Sequence, residues 1–228
     1  MQQAFQALRV ISEAQTVQIV LAARPDELVL KELSDACVGL QGDRAEGLKT
    51  VILDFVEQTR VESTDSTSPF LASAREAVRL LPQPVLAVVR SSLSAVACLL
   101  LAEADLTLVA SEALLFVPKQ GQTSLEPDEE QRVGGLAAVR LGYATWSAST
   151  GELSQELERI LDLLRTKSAL ALRMAKAAAR LARPNVPATP EILYQVTQFY
   201  LKNVIATEDA QEGLQAFLQK RQPRWTNR

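Results

Sequence analysis

The sequence predicts an α/β fold in which a parallel sheet is followed by an all-helical region. Short apolar runs rich in Val, Ile and Leu alternate with segments of helical periodicity through the first part of the chain. Strands that alternate with helices imply right-handed crossover units and therefore a parallel sheet. From about Leu153 onward the periodicity is helical only. We therefore expect an α/β core in residues 1–152 and a helical region in residues 153–228.

The elements of the core are expected in the following order. LRVISEA and TVQIVLAA predict a pair of strands, and a helix is expected over residues 25–41. LKTVILDF predicts a buried strand, which is followed by a helix over about residues 69–81. PVLAVV and DLTLVA predict two more strands. The helix SAVACLLLAEA lies between them and is capped at its start by Ser94 or Ser92.

Composition argues against several classes of function. The 228 residues carry a net charge of −3, whereas binding to nucleic acid needs clustered Lys and Arg. No uninterrupted apolar run reaches the roughly 18 residues of a membrane span, and the first residues lack the charge of a signal peptide. Because the chain has no histidine, Ser-His-Asp and Cys-His catalysis are excluded. Cys37 and Cys98 lie in apolar helical patterns typical of buried fillers. We expect a cytoplasmic protein without a metal site.

The chain ends in a distinctive segment, ATEDAQEGLQAFLQKRQPRW, over residues 206–225. By periodicity alone this is an amphipathic helix. The segment also resembles the C-terminal signature of the crotonase (enoyl-CoA hydratase/isomerase) superfamily, roughly D-x-x-E-G-x-x-A-F-x-x-K-R-x-P-x-W. The matching residues, without a gap, are Asp209, Glu212, Gly213, Ala216, Phe217, Lys220, Arg221, Pro223 and Trp225.

A second stretch, residues 83–119, supports the same resemblance. QPVLAVVRSSLSAVACLLLAEADLTLVASEALLFVPK is similar, at identical spacing, to the family stretch K-P-V-I-A-A-V-x-G-x-A-x-G-G-G-x-x-L-A-x-A-C-D-x-x-I-A-x-x-x-A-x-F-x-x-P-E. The family's glycines are absent, since Ser91 and the run Ala95-Val96-Ala97 replace them. Lys119 stands where the family often has its first catalytic glutamate. The resemblance therefore covers the family's framework better than its catalytic residues.

The resemblance implies a spiral core of repeated ββα turns, with C-terminal helices that assemble a homotrimer or a hexamer. It implies a protein that acts on or binds an acyl thioester, carried by coenzyme A or an acyl-carrier protein, and that needs no other cofactor. In the family, two backbone N–H groups stabilise the charge that develops on the thioester oxygen. Ungapped counting places these donors at Thr64, in the loop after VILDF, and at Val96.

Whether the protein catalyses a reaction is left open by its residues. Lys119 is an acid or thioester ligand in one interpretation and an ordinary salt-bridged lysine in the other. GGLAAVRLG matches the family run that precedes the second glutamate, but the following residues are shortened and contain no glutamate at the equivalent place. Glu126, Glu129 and Glu130 lie in a run typical of a solvated loop. The alternative to a hydratase- or isomerase-like enzyme is a non-catalytic homologue that serves as an accessory or assembly subunit of a biosynthetic enzyme.

Each remaining site residue has a second interpretation. Glycine at position 96 would let a thioester approach the main chain, whereas Ala95-Val96-Ala97 also suits the first turn of a buried helix. In the family, the Phe and Lys of the tail signature border the adenine and 3′-phosphate of coenzyme A bound to a neighbouring subunit. The resemblance assigns that role to Phe217 and Lys220. Alternatively, Phe217 belongs to the core and Lys220 is a solvated charge.

Overall fold

The computed structural model describes residues 5–13, 15–22, 24–41, 47–56, 69–117, 132–181 and 189–227. The strands of its main sheet are β1 (Arg9–Glu13), β2 (Thr16–Leu21), β3 (Thr50–Phe55), β4 (Val85–Val89), β5 (Leu106–Ala110) and β8 (Trp146–Ala148). They lie in the order β1-β2-β3-β4-β5-β8. β1 and β2 are antiparallel, and every other neighbouring pair in this sheet is parallel. The predicted strand pair and the parallel α/β core are confirmed.

The uninterrupted apolar runs of the sequence form the central strands. Every residue of β3 and β4 is buried, as expected for parallel strands that are covered on both faces. The register pairs Phe55 with Val89, the last residues of the two strands. The carboxyl ends of β3 and β4 therefore lie side by side, at the edge of the sheet where α/β proteins usually place their binding loops.

Three helices follow β2, β3 and β4 in turn, namely α1 (Glu27–Gly39), α2 (Pro69–Arg79) and α3 (Ala95–Leu101). α1 begins later than predicted because the carboxylate of Asp26 accepts a hydrogen bond from the amide of Val29 at 2.9 Å, which makes Asp26 the N-cap. α1 and α2 also end slightly before the predicted residues. The predicted existence and order of all three helices are confirmed.

A two-stranded antiparallel ribbon lies outside the main sheet and consists of β6 (Leu114–Phe116) and β7 (Arg132–Gly134). The short helix α4 (Gly135–Arg140) follows β7 directly, and residues 141–145 connect it to β8. The sequence predicts neither the ribbon nor β8. The shortening inferred after GGLAAVRLG stays a prediction.

In the described residues that follow β8, all elements are helical, as predicted: α5 (Leu153–Arg165), α6 (Ala169–Leu181), α7 (Pro190–Phe199), a π-helical segment (Tyr200–Val204) and α8 (Glu208–Leu218). α5 packs on the sheet and contacts β5 and β8. In contrast, no residue of α7 or of the π-helical segment is buried. The domain boundary at residue 152 stays a prediction. None of the helices in the described part of the chain combines the length and the apolar character that a membrane span requires.

A buried lysine attaches α6 to the sheet. The Nζ atom of Lys176 donates to the carbonyl oxygen of Gln83 at 2.8 Å and lies 2.7 Å from an oxygen of Asp105. The same carboxylate accepts a hydrogen bond from the amide of Val85 at 2.8 Å. Burial lowers the pKa of Lys176, and the Asp105 carboxylate opposes that shift. The ion pair joins α6 to the amino ends of β4 and β5.

Candidate functional site

The first turn of α3 carries the predicted oxyanion donor. Ser94 is the N-cap of this helix: its Oγ accepts from the amide of Ala97 at 3.3 Å, and its carbonyl oxygen accepts from the amide of Cys98 at 3.0 Å. For the amides of Ala95 and Val96, no acceptor is found among the residues that the structure describes. Amides at the start of a helix lack intrahelical partners and are suited to bind oxyanions. The Val96 amide is therefore available as a donor.

The side chain of Val96 belongs to the hydrophobic core. Val96 is 4% exposed, and its neighbours Ala95 and Ala97 are 5% and 0% exposed. The run has the burial expected of an ordinary first turn in a buried helix. The other candidate cap, Ser92, does not cap α3 but accepts a hydrogen bond from the amide of Leu114 at 3.0 Å. Position 96 thus combines an available backbone donor with a buried side chain.

Two of the predicted site residues, Thr64 and Lys119, lie outside the described residues, and so do Glu126, Glu129 and Glu130. Their roles stay predictions. The described strands show where the segments that lead to the two predicted donors start. Position 64 follows β3 in the sequence, and the neighbouring parallel strand β4 is followed by α3. The two donor loops therefore start from the same edge of the sheet.

An ion pair between the partly buried Arg90 and the buried Asp54 stabilises that edge. The Nε and Nη2 atoms of Arg90 donate to the two carboxylate oxygens of Asp54 at 2.7 and 2.9 Å. Gln18 donates to the same carboxylate at 2.7 Å, and Nη1 of Arg90 donates to the Oγ of Ser154 at 3.3 Å. A bidentate pair of this kind is strong and geometrically specific. It holds the carboxyl ends of β3 and β4 against the start of α5. This ion pair was not predicted from the sequence, although an aspartate inside the apolar strand VILDF is a usable signal for a buried charge.

The β6–β7 ribbon packs beside the start of α3. The amide of Leu93 donates to the carbonyl oxygen of Leu114 at 3.1 Å, and the amide of Phe116 donates to the Sγ of Cys98 at 3.4 Å. On the opposite strand, the Arg132 guanidinium carbon lies 4.6 Å from the centroid of the Phe116 ring. The ribbon therefore places an aromatic ring and a cation close to the helix that carries the Val96 amide.

Both cysteines are buried, as predicted. Burial raises the pKa of Cys37 to about 12, so its thiol stays protonated and is a poor nucleophile. Across the described ranges, no group of three or more His, Cys, Asp or Glu side chains is positioned to hold a metal ion.

Phe217 and Lys220 are exposed at the end of α8. The Phe217 residue is 79% exposed, so the interpretation that it belongs to the core is wrong. Lys220 follows the helix with a φ of 51°, in the left-handed region. Val96 is thus buried, whereas Phe217 faces solvent. Their predicted role toward a neighbouring subunit stays a prediction.

Other residues of the tail signature fix the end of the chain. The carboxylate of Asp209 accepts hydrogen bonds from the hydroxyl of Ser168 and from the amide of Thr226, the latter at 2.7 Å. The indole nitrogen of Trp225 donates to the carbonyl oxygen of Thr166 at 2.8 Å. The segment after α8 therefore returns to the junction between α5 and α6 and is held there.

A second carboxylate of the signature secures the return. Glu212 accepts two hydrogen bonds from the Arg221 guanidinium, at 2.6 and 2.8 Å, and one from the amide of Arg224 at 2.6 Å. These bonds lower the pKa of Glu212 to about 2. Gly213 leaves room for the Trp225 ring, whose nearest carbon would lie 3.4 Å from a Cβ at that position. The signature thus has a structural explanation that does not need a ligand.

Comparison of sequences gives partial matches. No family model matches the chain. The chain is similar to cyclohexa-1,5-dienecarbonyl-CoA hydratase of Thauera aromatica, with 34% identity over 116 residues, which are 50% of this chain and 44% of the relative. It is also similar to the mitochondrial enoyl-CoA hydratase domain-containing protein 3 of Homo sapiens, with 29% identity over 170 residues, which are 66% of this chain and 55% of the relative. The chain spans about half the length of the curated relatives it matches.

Comparison of structures covers nearly the whole chain. An enoyl-CoA hydratase from Geobacillus kaustophilus superposes with a TM-score of 0.78 at 18% identity, covering 99% of this chain and 98% of the other. An enoyl-CoA hydratase/isomerase from Mycobacterium paratuberculosis superposes with a TM-score of 0.77 at 19% identity, covering 99% and 100%. These similarities show the crotonase fold. The fold and the partial sequence matches agree with the resemblance of the chain to the crotonase (enoyl-CoA hydratase/isomerase) superfamily.

Proposed function

We propose that this protein binds an acyl thioester, carried by coenzyme A or by an acyl-carrier protein. The observation that carries the proposal is the Val96 amide, which lies at the start of α3, follows a parallel strand and has no acceptor among the described residues. A thioester oxygen gains negative charge as an enolate develops, and a fixed N–H donor stabilises that charge. The amide of Thr64, after the neighbouring strand, is proposed as the second donor.

The names of the two sequence relatives support a thioester ligand. Cyclohexa-1,5-dienecarbonyl-CoA and enoyl-CoA are both acyl thioesters of coenzyme A, although their acyl groups differ. The feature that they share is the thioester itself. We therefore propose the thioester as the ligand class, without a further cofactor.

We propose that Phe217 and Lys220 contact the nucleotide end of coenzyme A bound to a neighbouring subunit. Phe217 presents an exposed aromatic face, which suits an adenine ring. Lys220 provides a positive charge, which suits the 3′-phosphate. An exposed aromatic ring at the end of a helix gains stability when a ligand or a neighbouring subunit covers it.

A homotrimer, or a hexamer of two trimers, is the proposed assembly. Large apolar side chains stay exposed along α7, the π-helical segment and α8, namely Leu193, Tyr194, Tyr200, Leu201, Ile205, Leu214 and Leu218. An apolar cavity of about 410 Å³ also opens between α6 and α7. Surfaces of this kind are usually covered in oligomers. Light scattering at micromolar concentration should give a multiple of the 24.9 kDa monomer mass, and the monomer mass itself would contradict the proposal.

The proposed role is binding with little or no hydration of the ligand. Two carboxylates normally activate the water in this family, and Lys119 replaces the first of them. We expect the second carboxylate to be missing as well, and the short connection between α4 and β8 supports this expectation. A general acid or base contributes roughly 10²- to 10⁴-fold to the rate. Without either carboxylate, turnover should be very low.

One observation favours a second candidate, the accessory or assembly subunit. The side chains of Ala95, Val96 and Ala97 are all buried, so side chains fill space around the first turn of α3. A chain that has lost its ligand pocket but kept its fold and its exposed helices would act through protein contacts alone.

Calorimetric titration separates the two candidates. Butyryl-CoA and free coenzyme A are titrated into the 228-residue protein under identical conditions. Measurable binding of butyryl-CoA, tighter than that of free coenzyme A, supports the thioester proposal because only the acylated ligand offers a carbonyl oxygen to the Val96 amide. Absence of binding for both ligands would overturn it and favour the accessory subunit.

A further inference from the structure

Arg132 has two buried nitrogen atoms that find no hydrogen-bond partner among the described residues. Its side chain is partly buried at the start of β7, and neither Nε nor Nη2 finds an acceptor anywhere in the described residues. Buried polar groups are nearly always paired, and a charged group that is left unpaired is especially costly. Two unsatisfied N–H groups on one guanidinium therefore indicate that an acceptor from outside the described chain belongs there.

The side chain of Arg90 shows how the Nε and Nη2 atoms of an arginine bind an acceptor in this protein. Its Nε and Nη2 hold both oxygens of Asp54, at 2.7 and 2.9 Å. This side-on arrangement matches the two oxygens of a carboxylate to two parallel N–H groups. In Arg132 the same pair of nitrogens is buried and unpaired. The chemistry of the missing acceptor is therefore that of a carboxylate or a similar two-oxygen anion.

The Phe116 ring fixes the guanidinium in this orientation. Phe116 and Arg132 are directly opposite in the β6–β7 ribbon, and the guanidinium carbon lies 4.6 Å from the ring centroid. Stacking on a ring occupies the face of a guanidinium and leaves its N–H edge free for an acceptor. Arginine in this position is thus preorganised for a planar anion.

Phe116 and Arg132 lie close to α3, the helix that carries the proposed donor to the thioester oxygen. Phe116 is hydrogen-bonded through its amide to Cys98, which lies two residues after Val96 on α3. The acyl group of a bound thioester begins at the carbonyl carbon, next to the Val96 amide. The phosphates of coenzyme A lie at the far end of the long pantetheine arm. An anion close to α3 is therefore expected to be part of the acyl group rather than of the nucleotide.

We propose that Arg132 binds the terminal carboxylate of a dicarboxylic acyl thioester, of the succinyl or malonyl type. This inference rests on the proposed thioester binding and narrows its substrate class. Arg132 supplies the Nε and Nη2 donors, Phe116 supports the guanidinium, and the Val96 amide holds the thioester oxygen. The site distinguishes a charged acyl chain from an apolar one of the same length.

The test compares succinyl-CoA with butyryl-CoA by calorimetry on the 228-residue protein. Both acyl groups contain four carbon atoms, and only succinyl ends in a carboxylate. Wild type should bind succinyl-CoA at least about tenfold more tightly. The variant Arg132→Met should lose that preference and keep its affinity for butyryl-CoA. Arg132→Lys keeps the positive charge but lacks the two parallel N–H donors of a guanidinium. Its preference for succinyl-CoA should therefore lie between those of wild type and Arg132→Met.

Control variants and outcomes separate this inference from the proposal on which it rests. Arg140→Met removes an exposed positive charge from α4 and should leave both affinities unchanged. Equal binding of the two thioesters by wild type would overturn the role of Arg132 and leave thioester binding intact. If neither thioester binds, both proposals fail together. A lower melting temperature of Arg132→Met, with no change in preference, would show that Arg132 pairs with a carboxylate of its own chain and would also overturn the inference.

Discussion

Gly135 lies so close to Ala110 that no other residue fits at position 135. A Cβ atom built on Gly135 would be 2.3 Å from the carbonyl oxygen of Ala110 and 2.4 Å from a methyl group of Val109. The start of α4 is therefore in direct contact with β5. The glycine of the GGLAAVRLG run is explained by this packing, because the obstacle is mainly backbone and cannot rotate away.

The substitution Gly135→Ala should accordingly destabilise the protein by about 3 kcal/mol or more, since overpacking against backbone forces the elements apart. Gly134→Ala is the matched control, because a Cβ there would lie 3.8 Å from the nearest atom, the carbonyl oxygen of Ser111. Its cost should stay below about 1 kcal/mol. Urea unfolding of both variants measures the difference, and similar stabilities would contradict the packing described.

The ion pair between Lys176 and Asp105 should be needed for stability. Lys176→Met removes the buried ammonium group and leaves the carbonyl of Gln83 without its donor. Breaking such contacts should cost about 2–4 kcal/mol. Lys31→Met, an exposed lysine on α1, is the control and should change the free energy of unfolding by less than about 0.5 kcal/mol. Equal effects of the two substitutions in urea unfolding would show that the ion pair does not anchor α6.

The carboxylate of Glu212 should make the stability depend on acid pH. Its pKa falls from 4.5 to about 2 on folding, because Arg221 and the amide of Arg224 bind the ionised form. A depressed pKa contributes stability above the unfolded value, which is lost as the pH falls through the folded value. Glu212→Gln should therefore have a lower melting temperature than wild type at pH 7, and the difference should shrink as the pH falls from about 4.5 to about 2. A difference that is the same at pH 7 and pH 2 would argue against this network.

Hydration of crotonyl-CoA should be very weak. The first glutamate position holds Lys119, and the shortened chain offers no glutamate at the second. Enzymes typically turn over on the order of 10 times per second. The absorbance of the conjugated thioester follows the reaction directly. A turnover near that typical value would contradict the prediction and point to Glu126, Glu129 and Glu130 as the acids to substitute.

The sequence predicts the main elements because their signals are long. β2, β3, β4 and β5 contain five or six residues each, mostly apolar, and the helices between them show clear periodicity. β6, β7 and β8 have three residues each, too few to show an alternation. Their place is set by tertiary contacts, such as the bond between Leu93 and Leu114. Local sequence carries no information about such partners.

The site was predictable only in part, for a related reason. Spacing alone located the start of α3, but it left two candidate caps, and only the hydrogen bond from Ala97 to Ser94 decides between them. The sequence does not indicate a role for Arg132. Only the tertiary structure shows that two of its buried nitrogen atoms have no acceptor among the described residues. The structural role of Asp209 likewise depends on Thr226, which lies 17 residues further along the chain.

The central claim, that the Val96 amide binds a thioester oxygen, is tested most directly by removing that single N–H group. Val96→Pro lacks the donor, and proline is tolerated in the first turn of a helix, where the amide has no intrahelical acceptor. Val96→Ala keeps the donor while also shortening the side chain. Thermal melting verifies that both variants are folded.

The measurement is the affinity of each variant for butyryl-CoA by calorimetry. We predict that Val96→Ala binds at least as tightly as wild type and that Val96→Pro binds about tenfold more weakly than Val96→Ala, a loss of roughly 1.4 kcal/mol. If the two folded variants bind butyryl-CoA equally well, the Val96 amide is not an oxyanion donor.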